Sequence, residues 1–403
     1  MRIMLYSPDS YGLGHIRRSI SIANTVLKRA PQASGLIVTG APRAHMLNYP
    51  ESCDYVKLPS MTKDGEGQYI SRELQMSAET TVNFRAGMIR LSAANFKPTV
   101  LVVDHSPLGL GGEIVPTLQH LESRHPETLR VLGLRDVIDE PRRVRAKWRR
   151  DGVIEALDRY YDLILVYGQR DLFDPIEAYQ IPDNVARKMV FVGYLPRNGQ
   201  HTDPRQLHTR YASRTGSLVV VALGGGGDGD VLLRAFVRGY KQLGPEPPFD
   251  AVAVTGPLMS PRKRAAFRST AQHQLGLTVL EHTPDMPDLI EAADFTVSMG
   301  GYNTICELAC AGARSLIVPR SKPRREQLLR ARLLAQRGVL DYFDDSTPEP
   351  SRLMRHISEG LLAARPTVGW GLDFDGLQRV ADQLVDRDRT IRRRVPARVA
   401  AGR

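Results

Sequence analysis

Ten short apolar runs, each too brief for a helix, constrain this chain more than any other feature. Ile3–Ser7, Gly35–Val38, Val100–Val103, Leu129–Leu132 and Leu163–Val166 lie in the first half. Leu218–Leu223, Ala251–Val254, Thr278–Leu280, Phe295–Ser298 and Ser315–Val318 lie in the second. Their apolar character is continuous rather than alternating, as a strand covered on both faces requires. Helical patterns fill the gaps: Ile16, Ile20, Ala23 and Leu27 recur at helical spacing after the first run. Strand–helix alternation twice over predicts an α/β protein of two doubly wound, Rossmann-like parallel-sheet domains. At 403 residues the chain is long enough to give each domain a full core.

The crossing point reads as Phe191-Val-Gly-Tyr-Leu-Pro-Arg-Asn-Gly199, an apolar strand followed by Pro196 and a polar stretch. This predicts a first domain over 1–195 and a second over 196–370. Asp375 can cap a helix in which Leu377, Val380, Ala381, Leu384 and Val385 form one stripe, a closing helix over 371–386. The segment 387–403 is expected to be a disordered basic tail.

Charge narrows the function classes. Of the net charge of +11, the stretch from Arg387 to the end carries +6, leaving +5 for the other 386 residues. That modest excess, without zinc-finger spacing or an aromatic-basic signature, argues against nucleic-acid binding. Three cysteines (Cys53, Cys306, Cys310) show no metal-type pairing. Cys306 and Cys310, four apart, read as thiols lining the core. With no membrane-length apolar run and no secretory signal visible, a cytoplasmic location is expected. The run Arg142-Arg-Val-Arg-Ala-Lys-Trp148-Arg-Arg150 reads as a solvated face or as an edge suited to weak association with an anionic membrane surface or acceptor.

Several loops could carry chemistry. In the second half, an apolar strand ends at Gly300-Gly301, and Asn303, Thr304 and Glu307 follow at a predicted helix start. Glycines admit a ligand to bare backbone, and a helix start offers unpaired N–H groups to an anion. Glu307 can accept from a ribose diol, so the parts suit a nucleotide diphosphate and an activated sugar. Thr304-x-x-Glu307 is also a capping box, which is the bland alternative. Gly224-Gly225-Gly226-Gly227 after another strand could cradle a pyrophosphate, while Asp228 and Asp230 read as helix-capping residues rather than a metal clip. In the first half, Gly12-Leu-Gly14-His15 places a histidine where the helix dipole favours the neutral base. It lacks the third glycine of a dinucleotide fingerprint, which disfavours a dehydrogenase. Asp104 and Asp136, at strand ends, are acid–base candidates or turn aspartates.

From Val219 to about Tyr342 these residues resemble the nucleotide-binding domain of the peptidoglycan N-acetylglucosaminyltransferase group, which has the GT-B fold. The likeness rests on Gly224–Gly227, His282-Thr-Pro-Asp-Met286, Gly300-Gly301, Glu307 within Glu-Leu-Ala-Cys-Ala-Gly, and Glu326-Gln327. It implies that His282 and Thr283 border a uracil, Thr304 sits near the phosphates, Glu307 holds the ribose, and Glu326 and Gln327 meet the sugar. Gly12-Leu-Gly14-His15 is similar to that family's glycine-rich loop. It also resembles the loop of UDP-sugar hydrolases of pseudaminic acid biosynthesis, in which the histidine is read as the base acting on water. The whole chain is thus expected to be a MurG-like glycosyltransferase of the EC 2.4 class, with two domains facing across a cleft.

The expected reaction is metal-independent, inverting transfer of a hexosyl or N-acetylhexosaminyl group from a UDP-sugar, with no cofactor. The acceptor is an unidentified hydroxyl on a small molecule, a saccharide or a lipid-linked saccharide. His15, or failing that Asp104 or Asp136, is the base. The alternatives are a nucleotide-sugar hydrolase with water as acceptor, a UDP-sugar 2-epimerase, and a non-catalytic UDP-sugar-binding protein.

Overall fold

The structure, a computed structural model, describes residues 1–8, 13–64, 68–196, 202–322 and 324–400, with backbone alone at 63 and 394–400. Gly12 of the first loop, Arg197–Gly199 of the crossing segment, Pro323 and the last three residues lie outside it. The chain forms two compact units, one from Met1–Leu195 with Asp375–Arg403 and one from Pro196–Phe374.

The strands of the first unit are β1 (Arg2–Ser7), β2 (Ser34–Thr39), β3 (Cys53–Lys57), β4 (Met61–Lys63), β5 (Tyr69–Ser71), β6 (Val100–Asp104), β7 (Leu129–Arg135), β8 (Leu163–Tyr167) and β9 (Met189–Phe191). β4 and β5 form a separate antiparallel pair. The others make one parallel sheet in the order β3-β2-β1-β6-β7-β8-β9. Leu5 lies level with Ile37 on one side and Val102 on the other, so the register aligns the apolar centres of three strands. The residues of β6 and β8 are all buried, which accounts for their uninterrupted apolar sequence. β3 reads Cys-Asp-Tyr-Val-Lys and is an edge strand whose charged positions face solvent, so the apolar-run criterion misses it.

The second unit holds β10 (Leu218–Ala222), β11 (Asp250–Val254), β12 (Leu277–Leu280), β13 (Phe295–Ser298), β14 (Ser315–Ile317) and β15 (Asp341–Tyr342). They form a parallel sheet in the order β12-β11-β10-β13-β14-β15. Its central residues Val219, Val221, Ala253, Val297 and Leu316 are essentially inaccessible and pack with Phe236, Tyr240 and Phe249.

Both sheets share one property that positions function. In the first, the chain departs from β1 to β2 on one side and later adds β6 on the other. In the second, β10 is followed by β11 on one side and β13 on the other. Each is a topological switch point, where loops leave adjacent strand ends in opposite directions and open a crevice at the carboxyl edge.

The C-terminal stripe forms a helix, and Val380, Ala381, Leu384 and Val385 are buried. That helix spans Gly376–Ala400, so the basic segment from Arg387 continues it rather than being disordered. Extending a formed helix needs one hydrogen bond per residue and no new nucleus. Asp388 adds an ion pair to Arg392 at 3.0 Å, and Arg392 donates to Thr99 Oγ1 at 3.4 Å. The helix packs along Gly14–Arg29 within the first unit, where Arg29 pairs with Asp382 at 3.1 Å.

Candidate functional site

At the switch point of the first sheet, the helix Gly14–Arg29 starts just beyond β1. Its N-cap is Leu13, and no side chain caps it, so His15 stands in the first turn and is not a cap. β6 ends on Asp104, 86 residues after Arg18 in sequence and directly opposite it in space. His15 Nδ1 donates to Asp104 Oδ2 at 2.6 Å. Arg18 grips the same carboxylate with two bonds, Nε to Oδ1 at 2.9 Å and Nη2 to Oδ2 at 2.8 Å. Because an ionised carboxylate only accepts, Nδ1 carries the hydrogen and Nε2 is the basic nitrogen.

Asp104 is 2% exposed. Burial alone would raise its carboxyl pKa, but the Arg18 charge and the His15 hydrogen bond outweigh it and hold the group well below the usual carboxylate range. Asp104 therefore stays ionised against His15, which is the more exposed member at 25% of its side chain. Asp136 is enclosed completely and accepts from the Tyr194 hydroxyl at 2.8 Å. A carboxylate with no accessible surface cannot meet an acceptor. Of the three acid–base candidates, His15 is thus the most accessible, and Asp104 and Asp136 are both buried.

The next shell contains residues the sequence motifs included without singling out. His105 follows Asp104, and its ring stacks on that of His15 with centroids 5.4 Å apart and planes at 28°. Arg135, the last residue of β7, places Nη2 2.8 Å from His105 Nε2. The Arg18 guanidinium lies 5.4 Å from the centroid of the Tyr167 ring at the end of β8. The helix Gly14–Arg29 and the ends of the adjacent strands β6, β7 and β8 thus deliver one connected cluster of polar side chains.

The switch point of the second sheet is built differently. Gly224 and Gly226 have φ of 62° and 84°, and a Cβ on Gly226 would come within 1.9 Å of the Thr255 carbonyl oxygen. Gly256, after β11, would likewise place a Cβ 2.5 Å from Gly224 O. The glycine loop therefore folds back on Thr255-Gly256 in a packing that leaves no room for a side chain at Gly226 or Gly256. On the adjacent strand, Gly300 has φ of 75° and sits tight against Ile317. Gly301 is the N-cap of the helix Tyr302–Cys310.

That helix starts two residues earlier than the Thr304 motif suggests. Thr304 and Glu307 lie inside it, and no side chain caps it, so the capping-box reading fails. Instead Asn303 and Thr304 occupy the opening turn, whose amides have no carbonyl partner within the helix. Thr304 Oγ1 lies 4.0 Å from where a Gly224 Cβ would stand. Thr304 and Glu307 are both buried, at 9% and 7% exposure.

After β14, Arg320 connects the glycine loop to the next helix, Glu326–Gln336. It pairs with Asp228 at 2.6 Å and with Glu326, and its backbone N–H donates to Gln327 Oε1 at 3.0 Å. Asp230 pairs with Lys263 at 2.8 Å and Arg234 at 3.0 Å. The cap of the helix Asp230–Gln242 is Gly229, with no side-chain bond, so neither aspartate caps it. His282 and Thr283 follow the edge strand β12, at the same sheet edge but on its flank. Cys306 is buried as expected, but Cys310 reaches the surface. Gly256 is the residue the sequence reading overlooked, though Thr255-Gly256-Pro257 after an apolar run carried a turn signal.

Residues 219–365 match the glycosyltransferase family 28 C-terminal domain. The UDP-N-acetylglucosamine–N-acetylmuramyl-(pentapeptide) pyrophosphoryl-undecaprenol N-acetylglucosamine transferase of Alkaliphilus oremlandii is 24% identical over 318 residues, covering 76% of each chain. The same enzyme of Alkaliphilus metalliredigens is 23% identical over 376 residues, 90% of this chain and 91% of the relative. Among solved structures, Acinetobacter baumannii MurG superposes with a TM-score of 0.60 at 14% identity, over 96% of this chain and 99% of that one. The glycotransferase of kitacinnamycin gives 0.60 at 16% identity, covering 97% and 96%. The two parallel sheets and these neighbours give the chain the GT-B fold, its second unit matches a glycosyltransferase family 28 C-terminal domain, and the chain is similar over most of its length to MurG-type transferases.

Proposed function

We propose that the protein transfers a sugar from a UDP-sugar to a hydroxyl acceptor with inversion at the anomeric carbon. The observation that carries this reading is the second sheet's switch point, where two glycine loops leave adjacent strands with the helix Tyr302–Cys310 opening behind them. Backbone N–H groups and a helix N-terminus there suit a diphosphate, and buried Glu307 one turn on suits a ribose diol. Glu326 and Gln327, braced by Arg320, face the sugar. His282 and Thr283 are assigned to the uracil by resemblance.

The first unit supplies the base. His15 Nε2 takes the acceptor's hydroxyl proton as the oxygen bonds to the anomeric carbon, and UDP leaves with the bonding pair. Asp104 keeps the imidazole in the required tautomer and offsets the charge it gains. Main-chain donors and the helix terminus take up the charge developing on UDP. Asp228 and Asp230 are engaged by Arg320 and by Lys263 and Arg234, which supports a reaction without a divalent cation. On the helix Pro141–Asp151, Arg142, Arg145 and Arg149 have no ion-pair partner among the described residues. They support weak attraction to an anionic surface or a lipid-linked acceptor.

The test is incubation with labelled UDP-sugars, with and without a panel of hydroxyl acceptors, followed by mass spectrometry. Glycosylated acceptor is the expected product. Rapid release of free sugar without acceptor would assign the protein to hydrolysis. Tight UDP binding without turnover would make it a binding protein.

A further inference from the structure

The bend that follows Asp104 is not one the chain adopts easily. His105 has φ of 66°, and around it the Ser106 N–H donates to the Asp104 carbonyl at 2.8 Å. This is a γ-turn with a positive-φ apex, a rare and strained form in which glycine is the comfortable occupant. The surroundings hold it in place: the His105 N–H donates to Gly133 O at 2.7 Å, and Ser106 Oγ donates to Gly109 O at 2.7 Å. A ring-bearing residue held in strain beside a reactive group points to work done by the ring.

We propose that His105 is a positioning residue for His15, its neutral imidazole fixing the plane of the base by stacking on it. This rests on the reading of His15 as the base. The bond from His15 Nδ1 to Asp104 fixes one atom of the ring but leaves it able to pivot about that bond. The stacked ring at 5.4 Å removes the pivot, so Nε2 keeps one direction. Arg135 sets the state of the stacking ring. A guanidinium only donates, so His105 Nε2 at 2.8 Å is the acceptor and Nδ1 carries the hydrogen. Arg135 Nε also faces Nδ1, at the longer distance of 3.4 Å, so the guanidinium lies along the nitrogen edge of the ring. A protonated His105 would set a second cation against Arg135 and against the ring that must take up a proton. The neutral ring instead offers a π face to the imidazolium as it forms.

Two variants separate positioning from mere structure. His105→Gly fits the positive φ without strain and is expected to melt at or above the wild-type temperature. His105→Phe restores a flat ring without the nitrogens. In protein labelled with carbon-13 histidine, the order parameter of the His15 ring should fall from the rigid range, about 0.85, towards 0.6 in the glycine variant. It should recover in the phenylalanine variant. Turnover of UDP-N-acetylglucosamine with an acceptor should show kcat reduced on the order of 10-fold in the glycine variant at unchanged donor KM. A glycine variant whose His15 ring stays ordered overturns the proposal. So does one whose ring loosens while kcat stays within about twofold of wild type. If wild-type protein turns over no UDP-sugar, the functional reading fails, and ring order alone then decides the role of His105.

Discussion

The two sheet edges solve different problems with different materials. At the first, side chains are gathered from the helix Gly14–Arg29 and the ends of β6, β7 and β8 into a connected set of charges and rings around His15 and Asp104. At the second, side chains are absent: Gly224, Gly226, Gly256 and Gly300 all hold positive φ, with Gly224 exposed and the other three buried. Under the proposed transfer, the contrast matches the chemistry asked of each. Moving a proton needs a titratable group held in one orientation, whereas gripping a diphosphate needs many weak donors at short range. The family model matches residues within the second unit alone, so the glycine-built edge is the more readily recognised of the two.

The contrast can be broken most sharply at His15. His15→Ala should cut turnover on the order of 10³-fold while leaving the affinity for UDP unchanged in calorimetry. A comparable loss of UDP binding would mean that the two edges do not divide the labour. Next comes Arg18→Ala, which leaves the buried Asp104 carboxylate without its cation. Chemical denaturation should show a loss of about 3–5 kcal/mol. In the second unit, Gly226→Ala forces a Cβ toward the Thr255 carbonyl and should cost about 2–3 kcal/mol, with weakened UDP binding.

A pH series sharpens the same comparison. The folded Asp104 pKa is depressed, so its stabilising contribution is whole above the unfolded value of about 3.9 and is lost as pH falls toward the lower folded value. The gap in urea midpoint between wild type and Asp104→Asn should be flat from neutral pH to about pH 5 and shrink below about pH 4. The smallest effect is expected outside both edges. Replacing Arg142, Arg145 and Arg149 with alanine should weaken sedimentation with phosphatidylglycerol vesicles a few-fold, by roughly 1 kcal/mol per cation near an anionic surface. The melting temperature should not move.

Much of this was legible in the sequence because buried parallel strands write themselves as continuous apolar runs, as in Val100–Val103 and Leu218–Leu223. β3 and β15 were not, since edge position and brevity replace that signal with ordinary polar or short sequence, and β9 starts two residues before the apolar strand read at Phe191. Of the site, the glycine loops and His15 could be read because their spacing is local. The hold of Arg18 on Asp104 could not, because it joins residues 86 positions apart through the fold. Thr304 and Glu307 show the reverse hazard. A local pattern matched a capping box, but Gly301, in extended geometry at the strand's exit, had already opened the helix. The basic tail was misjudged because composition counts charge and not the neighbouring helix that a stripe can dock on.

That last helix has a consequence for how the protein is made. In chain order the second unit is an insertion between the body of the first unit and its final helix, Gly376–Ala400. A ribosome that has released the first 374 residues has produced a finished glycine-edged sheet beside a partner still lacking one wall. The apolar side of Gly14–Arg29 must wait for a segment more than 340 residues downstream. Truncation or stalling before Gly376 would therefore leave the first unit incomplete, and that unit would mature after the second.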